Sequence, residues 1–505
     1  MGLAPYFARN VTAASQALNN FRDESFKARL EEVSVGISFG KEGATNTEGK
    51  WLLETIVRLV SRLYPRISIR ASESDSLAAD LESLAHAINP NIEITREATH
   101  AILVGNGAPA FNGATYFVGS HGWSGAVSSM GPIQVGDSRN PFGALASACL
   151  ASAQIFQAIF LKNESGIEPK ADFEFSTFDG STRPSNDPEI SQTVMKQDVV
   201  LVGVGAIGNA TALALSKLDL TGRLHVVDPE VIELSNMQRY IFAEMTDIGR
   251  AKVQMIKERF SNSTQIIPHQ MPWSEFVSSS GYNWPLVLTG LDTAKDRRAV
   301  QASLPQWIAN AWTQPGDLGV STHDFLGMGA CLYCLYLPTN VVKSRDAIIA
   351  DALGIPDKLM KVRELLYYGA GTPKDLLVAI AQGLKVPVKN LEPFEGRPLA
   401  DLYVEGLCGG AAIPFGTSDL NKQDVHVPLS FQSSLAGVLL AATFVKNKVL
   451  GLSDPVSQIT RVNLLRPLGE NLTQPILKDS EPRCICQDPD YIAAYKAKYG
   501  LSTAV

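Results

Sequence analysis

The run Asp198-Val-Val-Leu-Val-Gly203-Val-Gly205-Ala-Ile-Gly208 sets three glycines directly after an apolar stretch and at the opening of a helical one, Asn209–Leu218. Glycines in that place allow a tight turn and let backbone N–H groups approach a phosphate closely. Asp228 ends the next apolar run, Arg223–Asp228, about 20 residues on, where a carboxylate can accept from ribose hydroxyls. The pattern is read as nucleotide binding rather than a purely structural turn, and by itself it fits a nicotinamide or a flavin equally well. A second constellation is made of thiols. Cys331-Leu-Tyr-Cys334 and Cys484-Ile-Cys486 offer four thiolates, the number on which a structural tetrahedral zinc site closes. In a reducing compartment, zinc accounts for them better than unligated buried thiols or a redox disulfide.

The residues beyond Asp228 are more discriminating. Asp228-Pro-Glu230-Val-Ile-Glu-Leu-Ser-Asn236-Met-Gln-Arg239, then Asp247-Ile-Gly249-Arg250-Ala-Lys252, then Thr289-Gly-Leu-Asp292-Thr-Ala-Lys-Asp-Arg297 stand in order behind the glycine loop. Taken singly, these residues read as surface charges, a helix cap and a turn; three ordered blocks do not. Together they resemble the ubiquitin-activating-enzyme superfamily (ThiF type), which includes the bacterial sulfur-carrier adenylyltransferases of thiamine and molybdopterin synthesis. The likeness is close over 198–311 and loose elsewhere. It implies a fold that binds ATP and Mg²⁺ while the C-terminal glycine carboxylate of a small ubiquitin-like protein attacks the α-phosphorus. On this chain it gives the ribose to Asp228, fixed positive charge to Arg239 and Lys252, a polar phosphate contact to Asn236 and the magnesium to Asp292. Glu230 stands where many members have Asp, and Thr follows Asp292 in place of the usual Asn.

The resemblance also gives Cys408 a role. It sits in Glu405-Gly-Leu-Cys-Gly-Gly-Ala-Ala-Ile-Pro414, a setting similar to the crossover loop that holds the thioester cysteine of activating enzymes. A thiolate there can take an acyl group from an adenylate and pass it to another thiol. A conjugating enzyme is then the expected next partner, with the inserted segment as its candidate docking surface. Cys149, among Ala and Leu, is packing. The loop Gly40-Lys-Glu-Gly-Ala-Thr-Asn46 has no GxGxxG and no downstream phosphate block, so the first domain resembles the inactive half of fused activating enzymes. In such enzymes an arginine of the inactive half enters the active site; Arg9, Arg22 and Arg29 are the candidates here. Bacterial relatives with this layout accompany ubiquitin-like conjugation operons, some linked to antiphage defence.

The elements that position these residues alternate between strand and helix. Val33–Phe39, Trp51–Leu63 and Arg66–Arg70 form a β-α-β unit, and a small-residue helix running to Phe160 closes it. A second unit begins at Asp198 and also ends in a small-residue helix, Ser433–Lys446, so one architecture is used twice. The expected fold is α/β: two Rossmann-like adenylation domains in pseudo-dimeric arrangement, with a helical insertion and a zinc knuckle in the second. The expected boundaries are 1–161 for the inactive domain, 162–196 for a linker and 197–337 for the first part of the active domain. Residues 338–427 are assigned to the cap and crossover loop, and 428–505 to the closing helix, strands and zinc-binding tail.

Composition removes whole classes. With Lys+Arg 44 against Asp+Glu 51 and a net charge of −7, nothing draws the chain generally to nucleic acid or to an anionic membrane. The apolar runs Ala144–Phe160 and Leu435–Val445 are shorter than a membrane span and read as buried helices. Residues 1–20 lack the order of a signal peptide, and a cytoplasmic setting is expected. Neither a Gly-Lys-Ser/Thr phosphate loop nor a Ser-His-Asp order occurs, and the seven histidines show no metal or triad spacing. The expected cofactors are ATP, Mg²⁺ and structural Zn²⁺. Three alternatives stay open: a sulfur-carrier or peptide adenylyltransferase without a thioester, an NAD-dependent oxidoreductase, and a nucleotide-binding scaffold. Association of two copies also stays open, since an internal pseudo-dimer already satisfies the interface.

Overall fold

The computed structural model describes residues 2–18, 21–161, 172–183, 187–191, 193–315, 317–337, 345–403, 427–454, 456–469, 472–478 and 484–501. Cys408 lies outside them. The chain divides into two compact units, Met1–Leu337 with Pro428–Val505, and Pro338–Val427.

The first half of the larger unit opens with helices α1 (Phe7–Ala17) and α2 (Asp23–Glu32). The elements β1 (Val35–Phe39), α3 (Lys41–Thr45), α4 (Thr47–Leu63), β2 (Arg66–Ala71), α5 (Asp75–Ile88) and β3 (Glu93–Ile94) come next. Then come β4 (His100–Val104), β5 (Ala114–His121), β6 (Ser124–Ser128), α6 (Phe142–Phe160) and β7 (Phe173–Ser176). Every residue of β1 is buried, as a central parallel strand covered on both faces requires. The sheet order is β3-β2-β1-β4-β5-β6-β7, parallel through β5 and antiparallel beyond it. The stretch expected as a linker, 162–196, thus supplies an edge strand. Phe173-Glu-Phe-Ser is too short to show a period and becomes a strand through its pairing with β6.

The second half repeats the plan with β8 (Val199–Val202), α7 (Ala206–Ser216), β9 (Gly222–Val227), α8 (Lys252–Arg259) and β10 (Thr264–His269). It continues through α9 (Trp273–Ser280), β11 (Leu286–Thr289), α10 (Ala294–Ala302), β12 (Trp307–Thr313), β13 (Leu318–Asp324) and α11 (Leu332–Leu335). The inserted unit holds α12 (Arg345–Ala352), α13 (Leu359–Tyr368), α14 (Lys374–Leu384) and α15 (Leu399–Asp401) around its own core of Leu353, Val362, Leu377, Ile380 and Phe394. The chain then returns through α16 (Ser430–Phe444), β14 (Gln458–Val462), β15 (Thr473–Pro475) and α17 (Pro489–Lys498). The second sheet runs β10-β9-β8-β11-β12-β13-β14-β15, again parallel for five strands and then antiparallel.

The two halves meet through their small-residue helices. α6 has the length and apolarity of a membrane span, yet 94% of that window is buried within the protein, where it packs on α4 and α16. α16 in turn crosses α7 so closely that a Cβ on Gly437 would lie 2.4 Å from the Ile207 carbonyl oxygen. Phe156 meets Phe431 with ring centroids 5.7 Å apart, and Gln157 Nε2 donates to the Leu464 carbonyl at 2.7 Å. In the second sheet the strand order reverses between β8 and β11, so their carboxyl ends open a crevice at the switch point. The glycine loop leaves β8 there and Asp292 leaves β11.

Candidate active site

Each of the three glycines has a different reason to be one. Gly203 turns the chain at φ +84°, with its N–H donating to the Val227 carbonyl at 2.9 Å. A Cβ on Gly208 would sit 2.0 Å from the Gly203 carbonyl oxygen, so the first turn of α7 can pack there only without one. Gly205, the N-cap of α7, faces open space, where the nearest atom to an added Cβ is the Tyr240 hydroxyl at 4.0 Å. That is the place for a ligand to reach the backbone at a helix N-terminus. Asp228 closes the loop from beside it. Its Oδ2 accepts from Val204 N at 2.7 Å and its Oδ1 from Glu230 N at 2.9 Å. Burial raises its pKa, while Lys252 and those two N–H groups pull it back.

Three cations gather around Tyr240, beside this mouth. Lys252 is buried at the start of α8, paired with Glu230, 3.9 Å from Asp228 Oδ1 and 5.1 Å from the centre of the Tyr240 ring. Burial works against its charge, but Tyr240, Asp228 and Glu230 outweigh it and hold the pKa above the usual lysine value. Arg239 lies 5.7 Å from the centre of the same ring and donates through Nη1 to the Ser235 carbonyl at 3.3 Å. The third cation comes from the other half. Arg9, on α1, is brought to about 10 by burial and then by the field of Arg239, with Glu233 and Tyr240 acting the other way. Its Nε is buried without a partner. Of the three arginines considered, Arg9 feels the charges of Arg239, Glu233 and Tyr240, whereas Arg22 and Arg29 are exposed on or beside α2. Two guanidiniums whose charges oppose each other thus lie near an open glycine loop.

The remaining expected residues divide. Gly290 and Leu291 pack on Gly203, with 3.1 Å between a Cβ built there and Leu291 Cδ2, and exposed Asp292 comes after them at the crevice. Thr293, in the place where the resemblance expects Asn, is the N-cap of α10, its Oγ1 accepting from Asp296 N at 3.0 Å. Asn236 is spent in part on a cap. Its Oδ1 accepts from Glu233 N at 2.9 Å, and its amide N–H groups have no partner among the described residues. In the first half, two carboxylates stand beside the equivalent loop. Glu42 accepts from Asn106 Nδ2 at 3.0 Å and from Val135 N at 3.1 Å, and fully buried Glu48 accepts from Ser120 Oγ at 2.7 Å and Ser138 N at 3.0 Å.

The four cysteines come together although they are far apart in sequence. Cys331 Sγ lies 3.8 Å from Cys334 Sγ and 3.5 Å from Cys484 Sγ, Cys334 Sγ lies 3.6 Å from Cys486 Sγ, and all four lie within 4.8 Å of one another. Metal–sulfur bonds of about 2.3 Å at tetrahedral angles place sulfurs about 3.8 Å apart, so the set fits one metal ion. Cys149 is separate and fully buried in α6.

Residues 184–346 match the ThiF family, and residues 38–161 match prokaryotic E2 family C. The chain is 41% identical over 512 residues to a Sinorhizobium fredii protein named "Uncharacterized protein y4jF", covering 99% of this chain and 98% of that one. It is 26% identical to the sulfur carrier protein ThiS adenylyltransferase of Escherichia coli, over 44% of this chain and 89% of that one. It is also 33% identical to the Nedd8-activating enzyme E1 catalytic subunit of Drosophila melanogaster, over 25% of this chain and 28% of that one. With its glycine loop, ordered acid and cation blocks and Rossmann-like sheet, the chain belongs to the ThiF-type adenylyltransferase superfamily.

Proposed function

We propose that this protein activates a small ubiquitin-like protein by adenylating its C-terminal glycine. The observation that carries the reading is the gathering of Arg239 and Lys252 on the Tyr240 ring, with Arg9 in the field of both Arg239 and Tyr240, beside the open backbone at Gly205, whose nearest neighbour is the Tyr240 hydroxyl. A hydride-transfer site needs no such cluster, whereas a triphosphate approached by a carboxylate does. Asp228 takes the ribose, and Asp292 is the residue to hold magnesium, which when bound neutralises charge on the phosphates. In the reaction, a carboxylate oxygen of the terminal glycine bonds to the α-phosphorus as the bond to the bridging oxygen breaks. Pyrophosphate leaves with that electron pair. The arginines hold the two anions together and stabilise charge on the leaving group.

The second step is assigned to Cys408. Its thiolate bonds to the acyl carbon, AMP leaves, and the thiol proton passes to solvent. A conjugating enzyme then receives the acyl group. The first half is proposed as a catalytically silent partner that supplies Arg9. An acyl-carrier role for residues 38–161 would need an accessible thiol, and their one cysteine, Cys149, is fully buried, with burial pushing its pKa up. We also propose zinc at Cys331, Cys334, Cys484 and Cys486 as a structural staple, since four clustered thiolates leave no open coordination position.

ATP–pyrophosphate exchange that depends on a glycine-ended ubiquitin-like protein tests the first step, and Asp292→Ala is expected to abolish it. A DTT-sensitive adduct of that protein, absent in Cys408→Ala, tests the second. Exchange without an adduct would leave an adenylyltransferase that forms no thioester.

A further inference from the structure

The segment that carries Arg239 is held from the other half of the molecule. Arg62, near the end of α4, is fully buried, and its Nη2 donates to the carbonyls of Tyr240 and Ala243 at 2.6 Å each and to that of Ile241 at 3.3 Å. Its Nη1 returns to the Arg58 carbonyl one turn back. Among the described residues it forms no ion pair, so carbonyl dipoles alone touch this cation. The main chain of the same residue faces the other way. Its carbonyl accepts from Asn10 Nδ2 at 2.7 Å, and Asn10 is next to Arg9 on α1. One residue therefore grips the turn after Arg239 with its side chain and the helix carrying Arg9 with its backbone.

We propose that Arg62 is a positioning residue for adenylyl transfer, fixing the separation of Arg9 and Arg239 so that both meet the same triphosphate. The proposal rests on the adenylating function proposed for the site. Two guanidiniums that repel each other drift apart unless the scaffold opposes it, and charge stabilisation is effective when its donors are in place before the reaction. Only a planar fork with several N–H donors can serve carbonyls of two chain segments at once; an ammonium keeps the charge and loses that reach.

The test is steady-state ATP–pyrophosphate exchange on the full chain, with thermal melting alongside. Arg62→Lys is expected to lower kcat about 10- to 100-fold while KM for ATP moves less than about 3-fold. In the Arg9→Ala background the same change should cost at least about 3-fold less, because one of the groups it positions is gone. Asn10→Ala leaves the buried cation untouched and should show the same dependence on Arg9, so it carries the test if Arg62→Lys does not fold. Equal losses in both backgrounds, in step with a lowered Tm, would reduce Arg62 to a structural bolt and overturn the proposal. A wild-type protein that performs no exchange with any glycine-ended acceptor would overturn the functional reading, and this proposal with it.

Discussion

Asp228 and Lys252 hold each other in their working states. The carboxylate is buried and its pKa raised, and the lysine is the nearest charge that opposes this. Removing the cation in Lys252→Ala should therefore move Asp228 further up, so the acid limb of the exchange–pH profile should shift to higher pH. Exchange itself should fall by about 100-fold or more with the loss of one charge-stabilising donor. An unchanged acid limb would separate the two groups. The glycines, Asp228 and Lys252 were legible in sequence because local strand–loop–helix order fixes their places. Asn236 was legible only in half, since a capping Asn and a ligand-binding Asn look alike in sequence. Arg9 could not be chosen over Arg22 or Arg29, because what selects it is the packing of α1 across the half–half boundary, a tertiary fact.

Among the elements, the crossing of α7 and α16 depends on a missing side chain. Gly437→Val places carbon 2.4 Å from the Ile207 carbonyl oxygen, and overpacking of this kind costs about 1–3 kcal/mol, read as a lower Tm. Because α7 begins at the glycine loop, ATP affinity should weaken with it. The cysteine cluster anchors the tail in another way. Tyr495 of α17 stacks on Phe325 at 4.9 Å, and Lys498 Nζ donates to the carbonyls of Ser303 and Leu304 at 2.8 and 2.9 Å. Chelation, or Cys484→Ser, should remove one zinc per chain and open residues near α17 to proteolysis; a metal content of zero in the wild type would contradict the assignment. The central strands and the helices α6 and α16 were legible because continuous apolar or small-residue runs have few other places to go.

At the largest scale, the bigger unit is one topology used twice, with open backbone at Gly205 in one half and the carboxylates Glu42 and Glu48 beside the matching loop of the other. The repeat was legible in the paired closing helices; the placing of the carboxylates was not, because half-buried Glu42 and fully buried Glu48 become acceptors only through loops that fold back from 106 to 138. An ionic seam joins the halves: Glu54 meets Lys217 at 2.6 Å and Arg58 at 2.9 Å, and Glu244 meets Arg58 at 3.1 Å and Arg259 at 2.7 Å. Burial opposes the charge on both acids, yet these cations win and hold both pKa values below the usual carboxylate range. A depressed folded-state pKa gives stability that is present above about pH 4.3 and lost as pH falls through the lower value. Glu54→Gln should therefore flatten the acid end of a Tm–pH curve, and an unaltered slope would show the seam to be idle. That both halves charge one site is best tested by pyrophosphate exchange of the wild type and Arg9→Ala side by side, with a glycine-ended ubiquitin-like protein and saturating ATP. Exchange in the wild type and a loss of about 100-fold in the variant at unchanged Tm are expected; equal rates would contradict a site shared between the halves.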